Sequence, residues 1–215
     1  MDTTNYWNED HKKRPPHKHS KFIEEKEVLF PRNAKVLDLG GGKGADAKFM
    51  NSKGHDVTIL DISDLAKNEF EKFKLDVNYI VHDIADVPYN FSGNMFDVVY
   101  SHFALHYFNS EEMVNIYKEI FRILKDDGVA YIAVKSPNDL KEMTLEIKNG
   151  KEIEKGFFLS GGITKARFSK EQIEKQLTQA GIRNYTIQEI NEKLVETNKH
   201  GHKELLETEI IFNKQ

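Results

Sequence analysis

Short apolar runs alternate with amphipathic segments along most of the chain. KVLDL (Lys35 to Leu39), DVTILDI (Asp56 to Ile62), NYIVH (Asn78 to His82), FDVVYS (Phe96 to Ser101) and VAYIAV (Val129 to Val134) are short and bounded by turn residues, the pattern of buried parallel strands. Helical spacing falls between them: Ala45 to Lys53 ahead of Gly54, Ser63 to Phe73, and Glu111 to Leu124 with Asn109 or Ser110 as cap. An earlier helix is predicted from Phe22 to Phe30, stopped by Pro31. Near the end, Ser169 and Gln172 have capping-box spacing ahead of a helix to Ala180, closed by Gly181. The last strands, Tyr185 to Ile190 and Glu207 to Phe212, have no helical pattern between them, which suits an antiparallel hairpin on one edge.

Alternating strands and helices predict an α/β fold, a doubly wound, mostly parallel sheet with helices on both faces. Two segments stand outside that rhythm. Residues 1–20 are polar, with Pro15, Pro16, Lys12, Lys13, Arg14 and Lys18 interleaved with His11, His17 and His19; with the following helix they read as an amino-terminal arm or lid over residues 1–30, ahead of a main domain at 31–215. The lid reading draws on Tyr6 and on Trp7, the single tryptophan of the chain. The stretch from Ser136 to Phe168 is longer than an ordinary connection and reads as a substrate-side insert.

At 215 residues, with 31% charged and 39% hydrophobic residues, the chain suits one decorated, well-solvated domain. No apolar run approaches the roughly 20 residues of a membrane span, and the amino-terminal residues lack a signal-peptide core, so a cytoplasmic location and no membrane partner are expected. The absence of cysteine removes disulfides, thiolate metal ligands and thiol nucleophiles. A net charge of -4 disfavours a general nucleic-acid binder. Nothing in the sequence fixes an oligomeric state.

In an open parallel sheet the ligand lies beyond the carboxyl ends of the strands, and Gly40-Gly41-Gly42-Lys43-Gly44 occupies that place after the first strand. Glycine spacing there fits both a dinucleotide fingerprint and the tighter G-x-G-x-G pattern, so it does not choose the nucleoside. Asp61 ends the second strand about 20 residues on, where a carboxylate can accept both ribose hydroxyls; the alternative duty, capping the next helix, falls better to Ser63. Asp83 after the third strand can accept from an exocyclic amine, with Ile84 against the ring. Asp38, inside the first strand, needs loop amides or a ligand ammonium to offset its burial.

These residues, together with FDVVYSHFALHYF (Phe96 to Phe108) and ILKDDGVAYIAV (Ile123 to Val134), make the chain similar to the class I S-adenosylmethionine-dependent methyltransferases over about residues 30 to 213. The resemblance implies a Rossmann-like seven-stranded sheet of order 3-2-1-4-5-7-6 with the seventh strand antiparallel. It further implies S-adenosylmethionine as cofactor, with Asp38 and Gly40 at its methionine end, Asp61 at the ribose, Asp83 and Ile84 at the adenine, Ser101 beside the sulfonium, and Gly41, Gly42 and Ile62 as further cofactor-binding residues.

Methyl transfer from a sulfonium needs alignment more than acid or base help. Where an acceptor proton must leave, His102 or His106 after the fourth strand is the candidate base; lining the acceptor site is their other reading. The two histidines stand at i and i+4, but Phe103 replaces the glutamate of a zinc-protease motif, and His17/His19 and His200/His202 lack a clear third ligand, so no metal is expected. SHFAL after the fourth strand differs from the Asn-Pro-Pro-Tyr type of nucleic-acid amino-methyltransferases, which favours a small-molecule acceptor. Candidate acceptor contacts are Tyr6, Trp7, His19, Tyr107, Phe157, Phe158 and Arg167, the last either facing an anionic group or paired with a glutamate on the surface. Two other functions share the cofactor signals: an NAD(P)-dependent oxidoreductase, which the terminal hairpin and Asp83-Ile84 disfavour, and a cofactor-binding regulator without transfer activity.

Overall fold

A computed structural model describes residues 3–15, 17–193 and 204–214. Its sheet contains β1 (Lys35–Leu39), β2 (Asp56–Asp61), β3 (Asn78–Val81), β4 (Phe96–His102), β5 (Leu124–Lys135), β9 (Tyr185–Lys193) and β10 (Glu204–Asn213), in the order β3-β2-β1-β4-β5-β10-β9. The first five strands run parallel and β10 is antiparallel to both β5 and β9. Relabelled without the insert strands, this is the expected 3-2-1-4-5-7-6 order.

Apolar side chains on the two sheet faces build two clusters. On one face α5 (Ser110–Ile123) and α7 (Lys170–Gln179) cover Leu37, Leu39, Val99, Ile132, Ile210 and Phe212. Both helices start with complete capping boxes, Asn109 with Glu112 and Ser169 with Gln172. On the other face α2 (Lys21–Glu27), α3 (Ala45–Ser52) and α4 (Asp64–Glu71) cover Val36, Val57, Ile59, Val98 and Ala133. Phe22 and Ile23 of α2 are fully buried there.

The polar insert after β5 is folded rather than an open loop. It forms α6 (Leu140–Asn149) and a separate antiparallel sheet of β6 (Gly150–Glu154), β7 (Phe157–Ser160) and β8 (Ile163–Ala166). Residues 3–13 form a further helix, α1 (Thr3–Lys13), which has no fully buried residue and therefore no apolar stripe to announce it in the sequence. No helix among the described residues is long and apolar enough to cross a membrane.

Candidate functional site

The carboxyl ends of β1, β2 and β4 meet around the glycine loop. Asp38 is buried in β1, and its Oδ2 has no hydrogen-bond partner. Burial, reinforced by Asp46 and Asp61, holds its carboxyl well above the ordinary aspartate range. Gly41 packs so tightly over it that an added Cβ would sit 2.6 Å from Asp38 Oδ2, and a Cβ on Gly40 would strike Ala104 Cβ at 2.2 Å. These two glycines are dictated by close approach as much as by backbone freedom. Gly42, at φ +51°, turns the loop toward β2.

There its backbone N–H donates to Asp61 Oδ2 at 2.9 Å, while the Ser63 N–H donates to Oδ1 at 2.9 Å. Burial raises the Asp61 carboxyl and these two amides partly offset it. Ser63 caps α4 through Ala66 N, leaving Asp61 free of that duty. Half-buried Ile62 follows directly. Tyr79 fixes the loop from the other side, its hydroxyl donating to Gly42 O at 2.8 Å.

Asp83 folds into a local turn, its Oδ1 accepting from Ala85 N at 2.9 Å. Ile84 is buried with its Cδ1 3.4 Å from a Cβ built on Gly40, so its side chain faces the loop. Ser101 is fully buried and donates to Leu39 O at 2.9 Å, tying β4 to β1 rather than presenting a free hydroxyl.

Helix α1 lies across this assembly. Asn8 Oδ1 accepts from Ser63 Oγ at 2.6 Å, Asn8 Nδ2 donates to Asp64 Oδ1 at 2.6 Å, and His11 Cε1 lies 3.1 Å from the place of a Cβ on Gly42. Burial, with Arg14 nearby, pushes the His11 imidazole down to about 4, so it is neutral. Lys43 reaches Arg14 O at 2.8 Å, and Trp7 meets Tyr107 edge-on at 4.7 Å with Tyr6 beside it. Asn8 and His11 carry no sequence signal, being ordinary polar residues in a polar arm.

The remaining candidates separate. His19 stacks on Phe49 at 4.2 Å and contacts Glu24, on the outer side of α2 and α3. Phe157 and Phe158 are buried in the insert sheet. Arg167 is 2% exposed, with Nη1 donating to Ala166 O; the surface reading is corrected, because its guanidinium lies inward near His106 and Tyr107. Burial pushes Tyr107 up to about 12. His106 lines a small cavity with Tyr117, Val134 and Phe168, and burial, then Arg167, hold its imidazole well below the usual range.

His102 differs. Burial pulls its imidazole down, but Glu192 and Glu207, with Asp46, outweigh this and push it up to about 10. It therefore keeps its proton at neutral pH and is not poised as a base in this state. Glu192 and Glu207 were missed as site residues; Glu207 has one signal, the period-2 pattern of ELLETEIIF, which puts an acid on a face that should be apolar, and Glu192 in the polar strand YTIQEINEK has none. His200 and His202 lie outside the described residues.

A glycine loop after the first strand, acids at or just past the ends of the first three strands and a 3-2-1-4-5-7-6 sheet together match the fold of class I methyltransferases. Residues 36–128 match the methyltransferase domain family. The chain is 29% identical over 112 residues to a malonyl-[acyl-carrier protein] O-methyltransferase of Enterobacter lignolyticus, a match covering 52% of this chain and 43% of that protein. The match thus spans less than half the length of that relative. A solved S-adenosylmethionine-dependent methyltransferase of Methanosarcina mazei superposes with a TM-score of 0.71 at 22% identity, covering 92% of this chain and 99% of the other. The 1,6-didemethyltoxoflavin-N1-methyltransferase of Burkholderia thailandensis, solved with bound 1,6-didemethyltoxoflavin and S-adenosylhomocysteine, superposes with a TM-score of 0.63 at 17% identity, covering 91% of this chain and 79% of the other.

Proposed function

We propose that this protein binds S-adenosylmethionine across Gly40 to Gly44 and transfers its methyl group to a small-molecule acceptor beneath α1. The observation that carries the reading is the unpartnered, buried Asp38 Oδ2 under a loop too tight for any Cβ. An ammonium is the donor such a carboxylate lacks, and the methionine end of the cofactor has one. Asp61 is fixed by two backbone amides and keeps acceptor capacity on both oxygens for the ribose hydroxyls. Asp83 and Ile84 serve the adenine edge and face.

When bound, the cofactor supplies an activated methyl: the acceptor lone pair forms the new bond, the sulfur takes the electrons of the broken one, and an N–H or O–H acceptor gives up a proton. The chain's task is alignment and exclusion of water. Trp7, Tyr107 and the insert strand β8, whose Thr164 donates to Tyr107 O at 2.9 Å, close the acceptor side. His106 is held neutral by burial and Arg167, which equally oppose its taking up a proton, so its part is to line the acceptor side rather than to act as a base. The net charge of -4 and a cleft roofed by a helix favour a small acceptor over nucleic acid.

The test is transfer of label from methyl-labelled S-adenosylmethionine to a panel of small amines, hydroxy compounds and carboxylates. Stoichiometric cofactor binding with no transfer to any member of the panel would instead favour a regulatory binding protein.

A further inference from the structure

Among the described residues, one cluster of potential metal ligands stands beyond the cofactor loop. His102 Nε2, at the end of β4, lies 3.5 Å from Glu192 Oε2 and 3.7 Å from Glu207 Oε2, on β9 and β10, and the three atoms lie within 4.8 Å of one another. We propose that His102, Glu192 and Glu207 form a binding site for a first-row divalent metal ion.

The glutamates are 5% and 1% exposed, yet both converging Oε2 atoms and His102 Nε2 lack a hydrogen-bond partner. The three buried atoms converge at ion-pair distance but beyond hydrogen-bond contact, an arrangement that a bridging cation would satisfy. Of the neighbouring acids, Glu209 is matched by Lys26 at 2.8 Å and bonded by Gln188, while Asp46 accepts from Ser20 and Tyr100 and lies 4.0 Å from His102 Nδ1, on the other side of the ring. Glu192 and Glu207 thus face each other with one imidazole between them. A protonated imidazole leaves this group one negative charge in excess, whereas a neutral imidazole with a dication balances both carboxylates.

Spacing agrees with this. Bonds of about 2.1 Å place the donors of a tetrahedral or octahedral ion about 3.0 to 3.4 Å apart, so a small inward shift closes the site. The donors are also held in place: Phe22 and Phe103 pack on the imidazole at 5.5 and 4.1 Å, and Phe22 N donates to Glu192 Oε1. One imidazole and two carboxylates suit Zn2+ or Mn2+ better than Mg2+ or Ca2+, which prefer oxygen alone. Three protein ligands leave coordination positions open, as in catalytic rather than structural sites. The proposal stands apart from methyl transfer, and its test needs neither cofactor nor acceptor.

The full chain, stripped with a chelator, is titrated with Mn2+ and followed by electron paramagnetic resonance, with echo modulation to detect a bound imidazole nitrogen. One Mn2+ per chain is expected, coupled to a single imidazole and displaced by Zn2+. Glu207→Gln and Glu192→Gln, which remove buried charge while conserving shape, each weaken binding at least about tenfold, and His102→Gln abolishes the nitrogen coupling. The proposal is overturned if the wild-type chain takes up no stoichiometric Mn2+ at about 100 μM, or shows no imidazole coupling. It is equally overturned if affinity is unchanged in both glutamine variants, or if the coupling survives His102→Gln, which would assign the ion to another histidine. Should a variant fail to fold by circular dichroism, the wild-type stoichiometry and coupling decide.

Discussion

Asp61 and Gly42 are joined by a 2.9 Å hydrogen bond from the loop amide to the carboxylate, so the residue expected to hold the ribose also fixes the loop that holds the rest of the cofactor. Asp61→Ala is expected to weaken S-adenosylhomocysteine binding by about 1.5 to 3 kcal/mol, the worth of hydrogen bonds to a charged group. Isothermal titration calorimetry measures it; an unchanged dissociation constant in a folded variant assigns Asp61 to loop geometry alone.

Asp38 should trade stability for binding. Its folded-state carboxyl is raised by burial, then by Asp46 and Asp61, with His102 the only opposing charge. The folded state therefore binds the proton more tightly than the unfolded one, and this group's penalty grows as pH rises from the ordinary aspartate range through the raised value. Asp38→Asn is expected to raise the melting temperature of the ligand-free protein at pH 7.5, by about 1 to 3 kcal/mol in stability, and to change it less at pH 5.5. The same variant should lose cofactor affinity. A melting temperature lowered at both pH values would show that Asp38 is already satisfied without ligand.

Cofactor binding should release protons. Asp38 and Asp61 both have raised carboxyls in the ligand-free protein and bind in their ionised forms, so affinity rises with pH through that raised range and then levels off. Calorimetry in two buffers of different ionisation enthalpy counts the protons directly. Equal heats in both buffers at pH 5.5 would contradict this.

Helix α1 is expected to shift when the cofactor binds, because Asn8 bonds Ser63 and His11 sits against Gly42. Trp7, packed on Tyr107, is the only tryptophan, so its emission reports that motion without labelling. Adding S-adenosylhomocysteine should change Trp7 emission. Deleting residues 1–14, ahead of the Ser20 cap of α2, should preserve the fold and sharply reduce methyl transfer. Unchanged emission together with normal turnover of the truncated chain would reduce α1 to a surface appendage.

The sheet order was legible because buried parallel strands are continuous apolar runs, as in β1, β2, β4 and the VAYIAV part of β5, with the half-exposed β3 at the edge marked by its turn-bounded length. Asp38, Gly40 to Gly44 and Asp61 were legible because local spacing fixes where a strand ends and a loop begins. The α1 helix was not, since it buries no residue fully and its order comes from Asn8, His11 and Trp7 meeting loops distant in sequence. His102 showed in the sequence as a histidine beside the site, but its partners did not: Glu192 and Glu207 reach it only through the β9–β10 hairpin, which no local pattern links to β4. Arg167 misled because an arginine ahead of a helix cap is ordinarily solvated, whereas here the insert sheet covers it.

The account rests first on which nucleoside the glycine loop accepts, and thermal denaturation of the full chain answers that directly. S-adenosylmethionine and S-adenosylhomocysteine, each at about 100 times its dissociation constant, should stabilise the native state by about 2.7 kcal/mol and raise its melting temperature by several degrees, while NAD and NADP leave it unchanged. Stabilisation by either nicotinamide dinucleotide, with no response to the two methionine derivatives, would contradict it.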